Sequence, residues 1–133
     1  MARVRDRFIN SIVCEDIRIE MGRKRSLMGV FSGNIIVEEM PAQLQLAFYF
    51  DYLAPKEAGT QEIRLQIYQD DDRMAEIKGV IDPTKGETGT IVVPRALIVF
   101  AKKCDLIVKA SVNRGRPIQL IRKSVTQGQI EKR

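Results

Sequence analysis

Leu44-Gln45-Leu46-Ala47-Phe48-Tyr49-Phe50-Asp51 puts Leu44, Leu46, Phe48 and Phe50 on one side of an extended chain and Gln45, Ala47, Tyr49 and Asp51 on the other. Successive side chains of a strand point to opposite faces, so a period of two with aromatic content predicts a β-strand with one buried face. Ile63, Leu65 and Ile67 repeat the pattern against Glu62, Arg64, Gln66 and Tyr68. Asp70-Asp71-Asp72-Arg73 then makes a tight connection to Met74 through Ile81, where Ala75, Ile77 and Ile81 face one way and Glu76 and Lys78 the other. A hairpin is expected there.

Working outward, Leu106, Val108, Ala110 and Val112 alternate with Ile107, Lys109, Ser111 and Asn113, and Asn113-Arg114-Gly115-Arg116-Pro117 turns the chain into Ile118 to Val125. Toward the N-terminus, Phe8 to Ile19 is apolar on both faces in its first half, as a central strand would be, and alternates in its second, with Ile17 and Ile19 inward. Gly22-Arg23-Lys24-Arg25 turns the chain, since three consecutive cations belong at an exposed tip. Ser26 to Phe31 is a short apolar strand in which Gly29 marks a bulge or a close backbone approach. Ser32-Gly33-Asn34 leads to a strand from Ile35 to Met40, ended by Pro41. Pro55 to Thr60 and Asp82 to Gly89 read as loops, and Thr90 to Val93 as a strand stopped at Pro94, because proline cannot donate to a central ladder. Arg95 to Lys103 reads as an extended or irregular crossover, its β-branched and aromatic residues outweighing the two alanines.

These segments amount to about eight short strands with Gly, Pro and Asn turns and no long helical pattern, the signature of an all-β antiparallel sandwich, with a closed barrel as the competing architecture. The 133 residues suit one domain: a basic leader over 1–7, the sandwich over 8–125 and a polar tail over 126–133. Hydrophobic residues make up 44% and charged residues 29%, which excludes a disordered chain. The first segment is read as neither a signal peptide nor a membrane span. Cys14 and Cys104 each sit within an apolar strand pattern and are expected as buried free thiols, with a cytoplasmic location as the default.

Val13-Cys14-Glu15-Asp16, Gly22-Arg23-Lys24, Leu27-Met28-Gly29-Val30-Phe31 and Met40-Pro41 together carry a likeness. The pattern resembles a widespread family of small bacterial domains of unknown function, which open with a Cys-x-Asp-like strand end, a Gly-Lys turn, a Leu-x-Gly-Val-Phe strand and a step to proline. The resemblance implies an immunoglobulin-like or C2-like antiparallel β-sandwich and brings no catalytic or ligand-binding residues with it. Members of that family usually carry one lysine in the first turn, where this chain has Arg23, Lys24 and Arg25.

With no histidine in the chain, Ser-His and Cys-His nucleophile pairs and Cys/His zinc sites are ruled out, and Gly86-Glu87-Thr88-Gly89-Thr90 lacks the Lys-Ser/Thr pair of a phosphate loop. No enzyme activity, cofactor or resident metal is expected. The net charge of +5 is uneven: residues 1–33 carry +3, residues 34–100 carry −5 and residues 101–133 carry +7. Arg23, Lys24 and Arg25 at one turn, Lys102 and Lys103 before a strand, and Arg114 and Arg116 at another turn are therefore candidate anion contacts. They would act weakly on phosphate or nucleic acid and without sequence reading, since no aromatic lies among them to stack a base. Asp70, Asp71 and Asp72 would hold calcium in a C2-like manner only with carboxylates from another loop, such as Asp82 or Asp51. The leading expectation is a non-catalytic module that binds another protein or itself, with outward-pointing Tyr49 and Tyr68 as interface candidates, and with open strand edges blocked only at Pro94 and Pro117.

Overall fold

The alternation at Leu44 to Asp51 lies within the strand around which one of two sheets is assembled. The computed structural model describes residues 3–22, 24–55, 59–82 and 88–130. Along the chain run a short helix α1 (Val4–Arg7) and the strands β1 (Phe8–Ile19), β2 (Arg25–Val30), β3 (Ile35–Val37), β4 (Ala42–Leu53), β5 (Gln61–Gln69), β6 (Asp72–Ile81), β7 (Thr88–Phe100), β8 (Cys104–Val112) and β9 (Ile118–Gln127). The first sheet has the order β2-β1-β4-β7 and the second the order β3-β9-β8-β5-β6. No helix among the described residues is long and apolar enough to cross a membrane.

One hydrophobic cluster draws on both sheets: Val13, Leu46, Phe48, Phe50, Ile98 and Phe100 from the first, and Ile35, Ile63, Leu65, Ile67, Leu106, Val108, Ile121 and Val125 from the second. Leu46, Phe48, Phe50, Ile63, Leu65, Ile67, Leu106 and Val108 are residues that the period of two assigns to one face of their strands. Phe8 closes the cluster against Tyr52, with ring centroids 4.8 Å apart and planes tilted by 53°, and such a pair adds about 0.5–1.5 kcal/mol beyond its buried area. Cys14 and Cys104 are buried and free.

The structure departs from the sequence reading in several places, and it has nine strands where about eight are expected, with Arg95 to Phe100 in a strand and not a crossover. The pairing is not wholly antiparallel, because β3 runs parallel to β9, with Ile35 opposite Val125 and Val37 opposite Gln127. Parallel neighbours need a long connection, and here the rest of the domain supplies it. Pro94 does not end a strand: β7 runs through it from Thr88 to Phe100. The register against β4 shifts between Leu46–Ala96 and Phe48–Val93, so Pro94 and Arg95 form a bulge on an edge strand, where the missing N–H has no partner to lose. The strand expected over Ile35 to Met40 is confined to Ile35–Val37, and the leader contains the helical turn α1.

Register also determines which turns share an end. Cys14 of β1 lies opposite Ala47, Ala42 opposite Phe100 and Cys104 opposite Val125, while Gln69 pairs with both Leu106 and Asp72. The β5–β6 and β7–β8 connections therefore lie at one end of the strands and the β8–β9 turn at the other. Beyond Cys14, β1 pairs only with β2, through Asp16–Met28 to Ile19–Arg25. The far half of this hairpin is not hydrogen-bonded to β4, although Ile17 and Leu27 pack with Ala47 and Tyr49, and Ile19, expected inward, is 82% exposed.

Candidate functional site

Each sheet has a face turned away from the shared cluster, and the two differ in chemistry. On the second sheet that face is polar and paired within itself. Arg122 donates from Nη2 to Asp105 Oδ2 at 2.7 Å and Ser124 Oγ donates to Asp105 Oδ1 at 3.1 Å. Arg64 Nε donates to Glu62 Oε1 at 2.8 Å, Arg73 Nη1 reaches Glu76 Oε2 at 3.3 Å, and the Lys109 ammonium lies 4.7 Å from the centre of the Tyr68 ring. Tyr68 does point away from the core, as expected, but its ring is taken by Lys109, an attraction of about 0.5–1 kcal/mol at exposed sites. The exception is Gln66, whose amide nitrogen donates to Ser111 Oγ at 3.4 Å while its Oε1 is buried without a partner among the described residues.

The outward face of the first sheet is apolar at its centre and polar at one side. Cys14, Ile17 and Ala47 are buried there, with Leu27, Tyr49 and Val92 packed against them. Beside them Asp51, buried although charged, accepts hydrogen bonds from Asn10 Nδ2 at 2.8 Å and Thr90 Oγ1 at 3.1 Å. The three positions meet because Asp51 stands opposite both Asn10 and Thr90 in the ladders. Burial pushes the Tyr49 phenol up, its hydrogen bond to Asp51 adds to this, and Arg25 pulls it back. Asn10, Ile12, Lys24, Arg25, Leu27, Tyr49 and Asp51 line a shallow hollow of about 510 Å³.

This hollow brings together three residues that the sequence pattern assigns to separate classes: Tyr49 as an interface residue, Lys24 and Arg25 as anion contacts. Arg23 lies outside the described residues. Lys102 and Lys103 sit in the three-residue connection between β7 and β8, beyond the Ala42–Phe100 pair, whereas Lys24 and Arg25 lie with Asn10, Tyr49 and Asp51. Arg114 and Arg116 lie at the opposite end of the strands from Lys102 and Lys103, and Arg114 Nε is 3.8 Å from Glu62 Oε1. The cations of the two outer segments therefore do not form one surface. Sequence reasoning missed Asn10, Leu27 and Thr90, since nothing in their local pattern tells which strands lie side by side.

The Asp70 carboxylate is engaged by the start of β8: Oδ1 accepts the Asp105 N–H at 2.8 Å, and the Asp70 N–H donates to the Asp105 carbonyl at 2.9 Å. Asp82 follows β6 at the other end of the strands, and Asp51 lies on the outward face of the first sheet. Among the described residues no group of three or more Cys, Asp or Glu side chains gathers in a metal-holding arrangement. The hollow holds a phenol, an amide, a carboxylate fixed by Asn10 and Thr90, and two cations, a set suited to recognition by hydrogen bonds and charge. No family model matches the chain, and neither a curated protein nor a solved structure matches it.

Proposed function

We propose that the chain is a non-catalytic interaction module, a β-sandwich of immunoglobulin-like or C2-like type that binds another protein through the outward face of its first sheet. The supporting observation is the contrast between the two outward faces. The second sheet's charges are largely paired with one another, whereas the first sheet presents Tyr49, Leu27 and Ile12 around a fixed Asp51, with Lys24 and Arg25 at the rim. Tyrosine and arginine with partly exposed aliphatic neighbours are the composition of interface centres. The rim cations favour a partner with an acidic border. The cytoplasmic location and the likeness to the bacterial domains belong to the same reading.

Affinity capture from lysate with the parent chain and with Tyr49→Ser and Lys24→Glu/Arg25→Glu tests it. The expected outcome is a partner held by the parent and lost by both variants while their melting temperatures stay within a few degrees of the parent's. Capture that is insensitive to both variants removes the reading. A second reading has its own support, because Lys24 and Arg25 stand side by side at the rim of the hollow: weak phosphate or nucleic-acid binding there would weaken steeply with salt, and a flat response to short single-stranded DNA at low salt would eliminate it.

A further inference from the structure

The edges of the two sheets are not equivalent. β2 is interrupted by Gly29 at φ +66°, β3 is three residues long, and β7 carries the Pro94 bulge. The edge β6 has ten residues without proline; its register shift at Met74 leaves Ala75 to Ile81 in unbroken pairing with β5, and Met74 and Val80 are 54% and 67% exposed. Among the described residues no strand lies beside its outward N–H and C=O groups, which is the arrangement that accepts another chain.

The charges along β6 indicate which chain. Glu76 stands opposite Gln66 and Lys78 opposite Arg64 on the outward face of the second sheet. Like charges directly opposite each other are unfavourable, and Arg64 is already bonded to Glu62. Among the described residues Lys78 reaches only the Glu76 of its own strand, at 3.9 Å, so this row has a cation in want of a closer anion. A lysine on an edge strand ordinarily repels other strands. Two residues before it stands its complement.

We propose that β6 pairs antiparallel with β6 of a second copy in the register centred on Ile77, joining the two five-stranded sheets into one. Ile77 then faces its own counterpart, Ala75 faces Gly79, and Glu76 faces Lys78 twice. The neighbouring registers that keep the outward faces together put Glu76 opposite Glu76 or Lys78 opposite Lys78. A shift by one residue turns the core face of one copy to the solvent side of the other. Charge and pleat together select one register. The same pairing brings together the two hollows of about 240 Å³ beneath β6, whose lining includes Ile63, Leu65, Ile77, Ile91 and Val93, and gives this apolar flank a cover.

The inference extends the reading of the chain as an interaction module to a surface separate from the Tyr49 face, so each can fail without the other. Light scattering after size exclusion is expected to give twice the 15.1 kDa of one chain. Lys78→Glu, which sets Glu against Glu at both pairs, is expected to weaken the dimer at least tenfold, and the reversed pair Glu76→Lys/Lys78→Glu to restore it; Tyr49→Ser should leave it intact. Ile77→Cys should cross-link copies under mild oxidation, whereas Val80→Cys should not, since its counterpart is Met74. A monomer at all accessible concentrations, a dimer indifferent to Lys78→Glu, or cross-linking at 80 in preference to 77 overturns the proposal.

Discussion

Asp105 shows how one side chain joins two strands and a turn. Its carboxylate takes Arg122 Nη2 at 2.7 Å and Ser124 Oγ at 3.1 Å across the β8–β9 ladder, and its backbone meets Asp70 in both directions. The Arg122 hydrogen bond, supported by Ser124, holds the Asp105 carboxyl below its ordinary range. A depressed folded-state value contributes stability above the unfolded-state value and loses it as pH falls through the folded one. Arg122→Gln should therefore lower the melting temperature near neutral pH, and the gap to the parent should close below the ordinary carboxylate range, where Asp105 becomes protonated in both. A gap that stays constant into acid would show that Arg122 acts by packing alone. At the same scale Gly29 is legible from its setting in the sequence: a glycine inside an apolar strand signals a close approach, and the Glu15 side chain lies where a Cβ would stand. Asp51 is legible only as an outward residue. Its partners Asn10 and Thr90 come from strands far away in sequence, so the buried network has no local signature.

The strands illustrate why period survives translation into structure while boundaries and pairing do not. Alternation in β4 and β5 reports burial directly, because the residues that recur every second position are those that enter the shared cluster. Pro94 misleads because its cost depends on what lies beside it: in a central strand it removes a ladder bond, whereas β7 is an edge and absorbs it in a bulge. Ile19 misleads for the opposite reason, since its alternation is strand-like but β4 has already diverged from that part of β1. A ribbon with no third strand hydrogen-bonded to it is marginal in water, and here only the packing of Ile17 and Leu27 supports it. Hydrogen exchange should accordingly show the amides of Asp16 to Ile19 and Ser26 to Met28 opening well before those of Phe48 to Tyr52, with protection lower by at least tenfold. Equal protection would mean that the hairpin is held as firmly as the sheet it leaves.

At the scale of the whole molecule, charge segregation along the chain is readable from sequence and its meaning is not. Register separates the basic turn at Arg114 and Arg116 from Lys102 and Lys103 by the length of the strands, while Lys24 and Arg25 lie with Tyr49 and Asp51 on the outward face of the first sheet. Such facts depend on which strands neighbour which, information carried by long-range contacts. The same contacts bear on stability, because Val13, Phe48 and Phe100 of one sheet and Ile63, Leu106 and Val125 of the other belong to one buried cluster. Neither sheet can lose its partner without exposing that cluster to water, so the two should unfold together. Cys104 reports on the second sheet from within the cluster, and burial, with Asp70 and Asp105 beside it, pushes its thiol up and slows labelling in the folded state. In a Cys14→Ser background, Cys104 labelling and far-UV circular dichroism should give the same urea midpoint, with an m-value of about 1–3 kcal/mol/M. Labelling that begins before the spectroscopic transition would show that the second sheet opens alone and that the shared cluster does not bind the sheets into one cooperative unit.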